Sequence, residues 1–183
     1  MNLKRIGFFL STTLLPYFFL LGLALIFLSS DVSAFNYIME SVFRNNGFLL
    51  IKTFVVLCVL SGVLSIIGSA VGIIRNWNAL SLAKFAMIVK LIQIPAYIII
   101  FVLGVAFVLA IITIPFSIVL FLFDCFVLLL TGIITTSAIA NADTQNILPL
   151  KKSWWAIILQ FVFCADVVAT IIFYIKLKKN IRL

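Results

Sequence analysis

Histidine is absent from this chain, and acidic residues number only five in 183 positions. Without histidine the commonest metal ligand and the commonest general base are missing, and a Ser-His-Asp arrangement cannot form. Charge is scarce altogether, at 10% of residues, where soluble domains carry about 25%. The three cysteines, Cys58, Cys125 and Cys164, have no CxxC spacing and an odd count, so they read as small apolar side chains. No phosphate-binding glycine motif and no H-E-x-x-H is present. These gaps leave nucleotide, zinc and serine-hydrolase chemistry without a foothold. The expectation is a protein that is not an enzyme and holds no metal or cofactor.

What is abundant is apolar residue: 66% of the chain, with a mean hydropathy of +1.37. That composition lies outside the globular range and predicts an all-α integral membrane bundle in a single domain. The net charge of +8 would suggest nucleic acid in a soluble protein. Here Lys and Arg flank apolar runs, so the expected partner is the lipid bilayer and not nucleic acid. Five hydrophobic segments are expected, at about 6–28, 47–74, 93–112, 116–138 and 154–175. The first exceeds a signal peptide's apolar core of roughly 7–15 residues and reads as a retained anchor, bent at Pro16. A short interfacial helix is expected near Phe35–Phe43. Arg75–Lys90, in which Lys84 and Lys90 alternate with apolar residues, reads as lying on the membrane surface, with a bend at Pro95. The turn between the third and fourth segments is placed at Thr113–Phe116.

The second segment carries a ridge of small side chains, Ser61, Ser65, Gly68, Ser69 and Gly72. Such ridges let helices approach closely in lipid. A second small-residue face, Thr131, Gly132, Thr135, Thr136 and Ala140, marks the fourth segment.

Charge placement conflicts with the count of five. With five crossings and the amino terminus inside, the basic tail Lys176, Lys178, Lys179 and Arg182 falls outside, against the positive-inside rule. An even number of crossings brings the tail inside, and the stretch from Gln93 to Asn141 is then the expected place for re-entrant chain. Length favours five; charge favours four.

Three ionisable residues are expected inside the bilayer: Lys52, Asp124 and Asp166. In the five-span arrangement they fall roughly 8–14 Å below one surface, so Lys52 could pair with either aspartate. Adjacent aspartates would instead share a proton. Gln93 and Gln160 add hydrogen-bonding capacity. This set is either an ion or proton site or polar packing between helices. Paired membrane aspartates resemble those of intramembrane aspartyl proteases, but Ala165-Asp166-Val167 replaces the glycine-rich motif of that family.

KLIQIPAYIIIFVLG (Lys90–Gly104) with FLFDC (Phe121–Cys125) resembles part of a family of small polytopic bacterial membrane proteins. The resemblance implies a helical membrane fold and brings no particular activity. High Ile, Phe, Lys and Asn suits an AT-rich bacterial genome and a multi-pass protein of the cytoplasmic membrane. Two functions are therefore expected. One is an accessory, assembly or immunity-type subunit, acting on a membrane-protein partner or as a homo-oligomer joined through the ridge. The other is a small ion- or proton-coupled transport component using Asp124 and Asp166.

Overall fold

The computed structural model describes residues 3–109 and 113–182, and every element in them is helical. In chain order these are α1 (Leu3–Leu28), α2 (Ser33–Ser41), α3 (Gly47–Ile74), α4 (Ala79–Leu109), α5 (Ile114–Thr144), α6 (Leu150–Leu159) and α7 (Ala165–Arg182). Four of them, α1, α3, α4 and α5, are long and apolar enough to cross a membrane. The short second helix is where an interfacial helix was expected, shifted by two residues.

The fifth apolar segment, 154–175, is not one helix. It breaks at Phe161–Cys164, where Cys164 adopts a left-handed backbone with φ 65°. Beyond the break the chain turns back on itself. Three contacts show the reversal: Gln160 Nε2 donates to Thr170 Oγ1 at 3.2 Å, the Lys176 ammonium lies 4.8 Å over the Trp155 ring, and Asn180 Nδ2 donates to the Ile147 carbonyl at 3.1 Å. Helices α6 and α7 thus form an antiparallel hairpin. A backbone turn at its tip needs its polar groups satisfied locally. The tip supplies this itself, since Gln160, Phe161, Val162, Ala165 and Asp166 all donate their N–H groups to carbonyls between Ile157 and Phe163.

The third segment departs from expectation at its start. Arg75–Lys90 is not a surface stretch, because α4 begins at Ala79 and runs unbroken through Lys90 and Pro95. Its buried positions Ala79, Ala83, Ala86, Lys90 and Gln93 recur at three- and four-residue steps, one stripe of the helix. Two long helices therefore occupy most of Gln93–Asn141, and among the described residues the chain reverses without a long helix in the carboxy-terminal region instead. Of the expected Thr113–Phe116 turn, Thr113 caps α5 and Pro115 lies in its first turn, while residues 110–112 lie outside the described ones.

Helix ends at one pole are tied together by amides. Asn141 Nδ2 donates to the carbonyls of Gly72 and Trp77, each at 3.0 Å. Gln145 Nε2 donates to the Trp77 carbonyl at 2.9 Å, and its Oε1 accepts from the Ala79 N–H at 3.2 Å. These bonds satisfy helix-terminal groups that a bilayer would leave without water. The amino-terminal half of α1 reaches the same pole, where Phe9 packs with Trp77, Ala79, Phe173 and Leu177. On that pole or the helix halves nearest it lie Lys4, Arg5, Arg75, Lys84, Lys90, Lys151, Lys152, Lys176, Lys178, Lys179 and Arg182. That is eleven of the thirteen basic residues, leaving Arg44 and Lys52 toward the other pole.

The small-residue ridge of α3 is buried inside the chain. A Cβ on Gly68 would stand 2.8 Å from Phe8 Cβ, and one on Gly72 would stand 3.2 Å from the Trp77 ring. Ser65 Oγ donates to the Leu130 carbonyl of α5 at 3.2 Å. Ser61 and Ser69 are buried with them. The ridge seats α1, α5 and Trp77, so it is not free to join a second copy.

Candidate functional site

Two polar sites lie within the apolar bundle. The first is built at the hairpin tip. Lys90 projects from α4 about 17 Å beyond Ala79 and is 1% exposed. Its ammonium donates to Asp166 Oδ2 at 2.9 Å, to Gln160 Oε1, and more distantly to the Asp166 carbonyl at 3.5 Å. Thr170 Oγ1 donates to the Asp166 carbonyl at 2.8 Å and accepts from Gln160. Gln160 Nε2 also reaches the Ala156 carbonyl at 3.1 Å. All three ammonium protons have acceptors. A buried ion pair this well bonded offsets much of its desolvation cost and fixes the hairpin against α4. Gly132 of α5 faces Gln160 and Phe161 of the hairpin.

A proline repair lies beside this cluster. Pro16 lacks the N–H that would bond the Thr12 carbonyl, and Gln93 Nε2 donates to that carbonyl at 2.8 Å. Reciprocally, the Tyr17 hydroxyl of α1 donates to the Ile92 carbonyl of α4, one turn before Pro95. Each helix thus supplies a donor near the other's proline.

The second site is Asp124, about 15 Å along α5 from Ile114. It is 8% exposed, and its Oδ1 has no hydrogen-bond partner. It lines a cavity of about 300 Å³ between α4 and α5, open on one side and walled by Ile100, Phe101, Gly104, Val105, Leu120 and Phe121.

The five polar candidates are therefore divided. Asp166 and Gln160 meet at the tip, Gln93 serves Pro16, Asp124 stands in its groove, and Lys52 is exposed on α3. Neither aspartate pairs with Lys52: Asp166 takes Lys90, an ionisable residue that the sequence reading assigned to the surface. The stripe Ala79, Ala83, Ala86, Lys90, Gln93 was the signal that could have found it.

Comparison with family models, with curated proteins and with solved structures yields no match to this chain.

Proposed function

We propose that the chain is a multi-pass protein of the bacterial cytoplasmic membrane with four crossings, into which the α6–α7 hairpin dips from the cytoplasmic face. Its role is non-enzymatic, that of an accessory, assembly or immunity-type subunit working through helix–helix contact. The crossings are supported by the four long apolar helices, and the orientation by the gathering of eleven basic residues toward one pole. The interior polar groups of the hairpin and of Gln93 bond neighbouring helices, which is what polar residues do when they hold a bundle together.

One observation carries the interaction role. Asp124 lines an apolar groove that opens to the outside of the bundle, and its buried Oδ1 has no hydrogen-bond partner. A carboxyl at such depth is costly without a donor, and a partner helix would supply one. Cross-linking in native membranes tests this. Asp124→Asn and the groove-filling Gly104→Phe are both expected to remove a cross-linked complex while the protein still inserts. A complex untouched by either change would refute the role. The second reading, ion- or proton-coupled transport, rests on the same carboxyl. It requires ion flux in proteoliposomes that Asp124→Asn abolishes.

A further inference from the structure

We infer that the Asp124 groove receives Lys52 from a second copy of this chain. The inference rests on the interaction role proposed above and names its partner. Asp124 is more than nine-tenths buried, faces the groove, and leaves one oxygen without a donor. Lys52 is its complement. It is exposed on the face of α3 that also displays Val55, Val56 and Val59, and no bond from its ammonium to the rest of its chain is present among the described residues.

The two groups belong to the same half of the bundle. Helices α3 and α5 run in the same direction, and Ser65 Oγ on the Leu130 carbonyl sets their register. Counting back from that bond, Lys52 and Asp124 differ in height by about 10 Å, a span that an extended lysine and a carboxylate bridge together. Side chains on a helix lean toward its amino terminus, so Asp124 leans toward the level of Lys52, while Lys52 must extend toward the carboxy-terminal end of α3 to meet it. Copies inserted by the same basic pole all have the same orientation, which keeps the two groups in one leaflet. Within one chain the exposed Lys52 and the groove carboxyl do not meet; between copies each ends the other's isolation. Every copy then offers one lysine face and one groove. The contact is head-to-tail, so it builds a ring where its rotation closes and an open row of copies where it does not.

The test follows from that asymmetry. Wild-type protein, Lys52→Met and Asp124→Asn are purified separately in mild detergent and sized by light scattering with detergent correction. The wild type is expected to be oligomeric, and each variant to associate on the order of tenfold or more weakly. Lys52→Met retains the groove and Asp124→Asn retains the lysine, so an equal mixture is expected to form a one-to-one dimer and stop there. Far-UV circular dichroism of each variant, with helix content unchanged from wild type, shows that the loss is not misfolding. A monomeric wild type, or a mixture that stays monomeric while wild type oligomerises, overturns the inference. If the wild type is monomeric and Asp124→Asn still removes a complex in native membranes, the interaction role stands and its partner is another protein.

Discussion

Asp166 and Asp124 are both aspartates in apolar sequence and both nearly inaccessible, yet their surroundings are opposite. Asp166 sits at the hairpin tip with a lysine on its carboxylate and a threonine on its carbonyl. Asp124 faces an open apolar groove with one oxygen unbonded. The first belongs to the half of the bundle nearer the pole at which amides cap the helix ends. The second belongs to the half that holds the apolar cavities, including one of about 400 Å³ between α1, α3, α4 and α5 lined by Phe19, Leu50, Phe54 and Phe107. Burial alone therefore does not say what a membrane carboxylate is for. Its partners distinguish the two: Asp166 is paired with a lysine that ties the hairpin to α4, whereas Asp124 keeps an unbonded oxygen beside an open groove.

The largest effect is expected at the bonded carboxylate. Lys90→Met leaves Asp166 buried without its cation and should cost about 3–5 kcal/mol. Lys90→Met with Asp166→Leu removes both charges and should recover most of that loss. Reversible unfolding in mixed micelles measures both, and a double variant no more stable than the single would show that the pair is not the hairpin's anchor. Next in size is Gly68→Ala, whose new methyl meets Phe8 and Phe9 and should cost about 1–3 kcal/mol by overpacking. Loss of the Gln93 donor comes third, at about 1 kcal/mol for Gln93→Leu. Pro16→Ala returns an N–H to the Thr12 carbonyl, so a double-mutant cycle should show Gln93→Leu costing less in that background. Strict additivity would deny the proline repair. The smallest effect on monomer stability is expected at Asp124→Leu, which buries no new polar group and breaks no bond at Oδ1. Destabilisation as large as that of Lys90→Met would erase the contrast between the two carboxylates.

Much of the bundle was legible in the sequence, because long apolar runs and small-residue ridges follow directly from the demands of a lipid solvent. The ridge Ser61–Gly72 marked a buried face, though not which neighbours would cover it. The hairpin was hidden for a physical reason. Its turn, Phe161–Cys164, has neither glycine nor proline and is as apolar as the helices beside it, so hydropathy runs straight across the break. Charge is consistent with the hairpin: the basic tail favoured an even number of crossings, and the chain reverses at Phe161–Cys164 rather than between Gln93 and Asn141. Lys90 escaped notice because it closes a basic, aromatic-bearing stretch that mimics an interfacial helix. The amides Asn141 and Gln145 lie beyond the fourth expected segment, 116–138, and nothing in hydropathy marks them, although they hold the ends of α3 and α4.

The central claim is that α6 and α7 turn back without crossing, and labelling from outside intact cells tests it most directly. Single cysteines at Asn45, Asn146 and Lys179 are placed in a background lacking Cys58, Cys125 and Cys164, all three sites being exposed. An impermeant thiol reagent is expected to label Asn45→Cys and to spare both Asn146→Cys and Lys179→Cys until the cells are opened. Labelling of Lys179→Cys with Asn146→Cys protected would mean that the fifth segment crosses the membrane, and the hairpin account would be wrong.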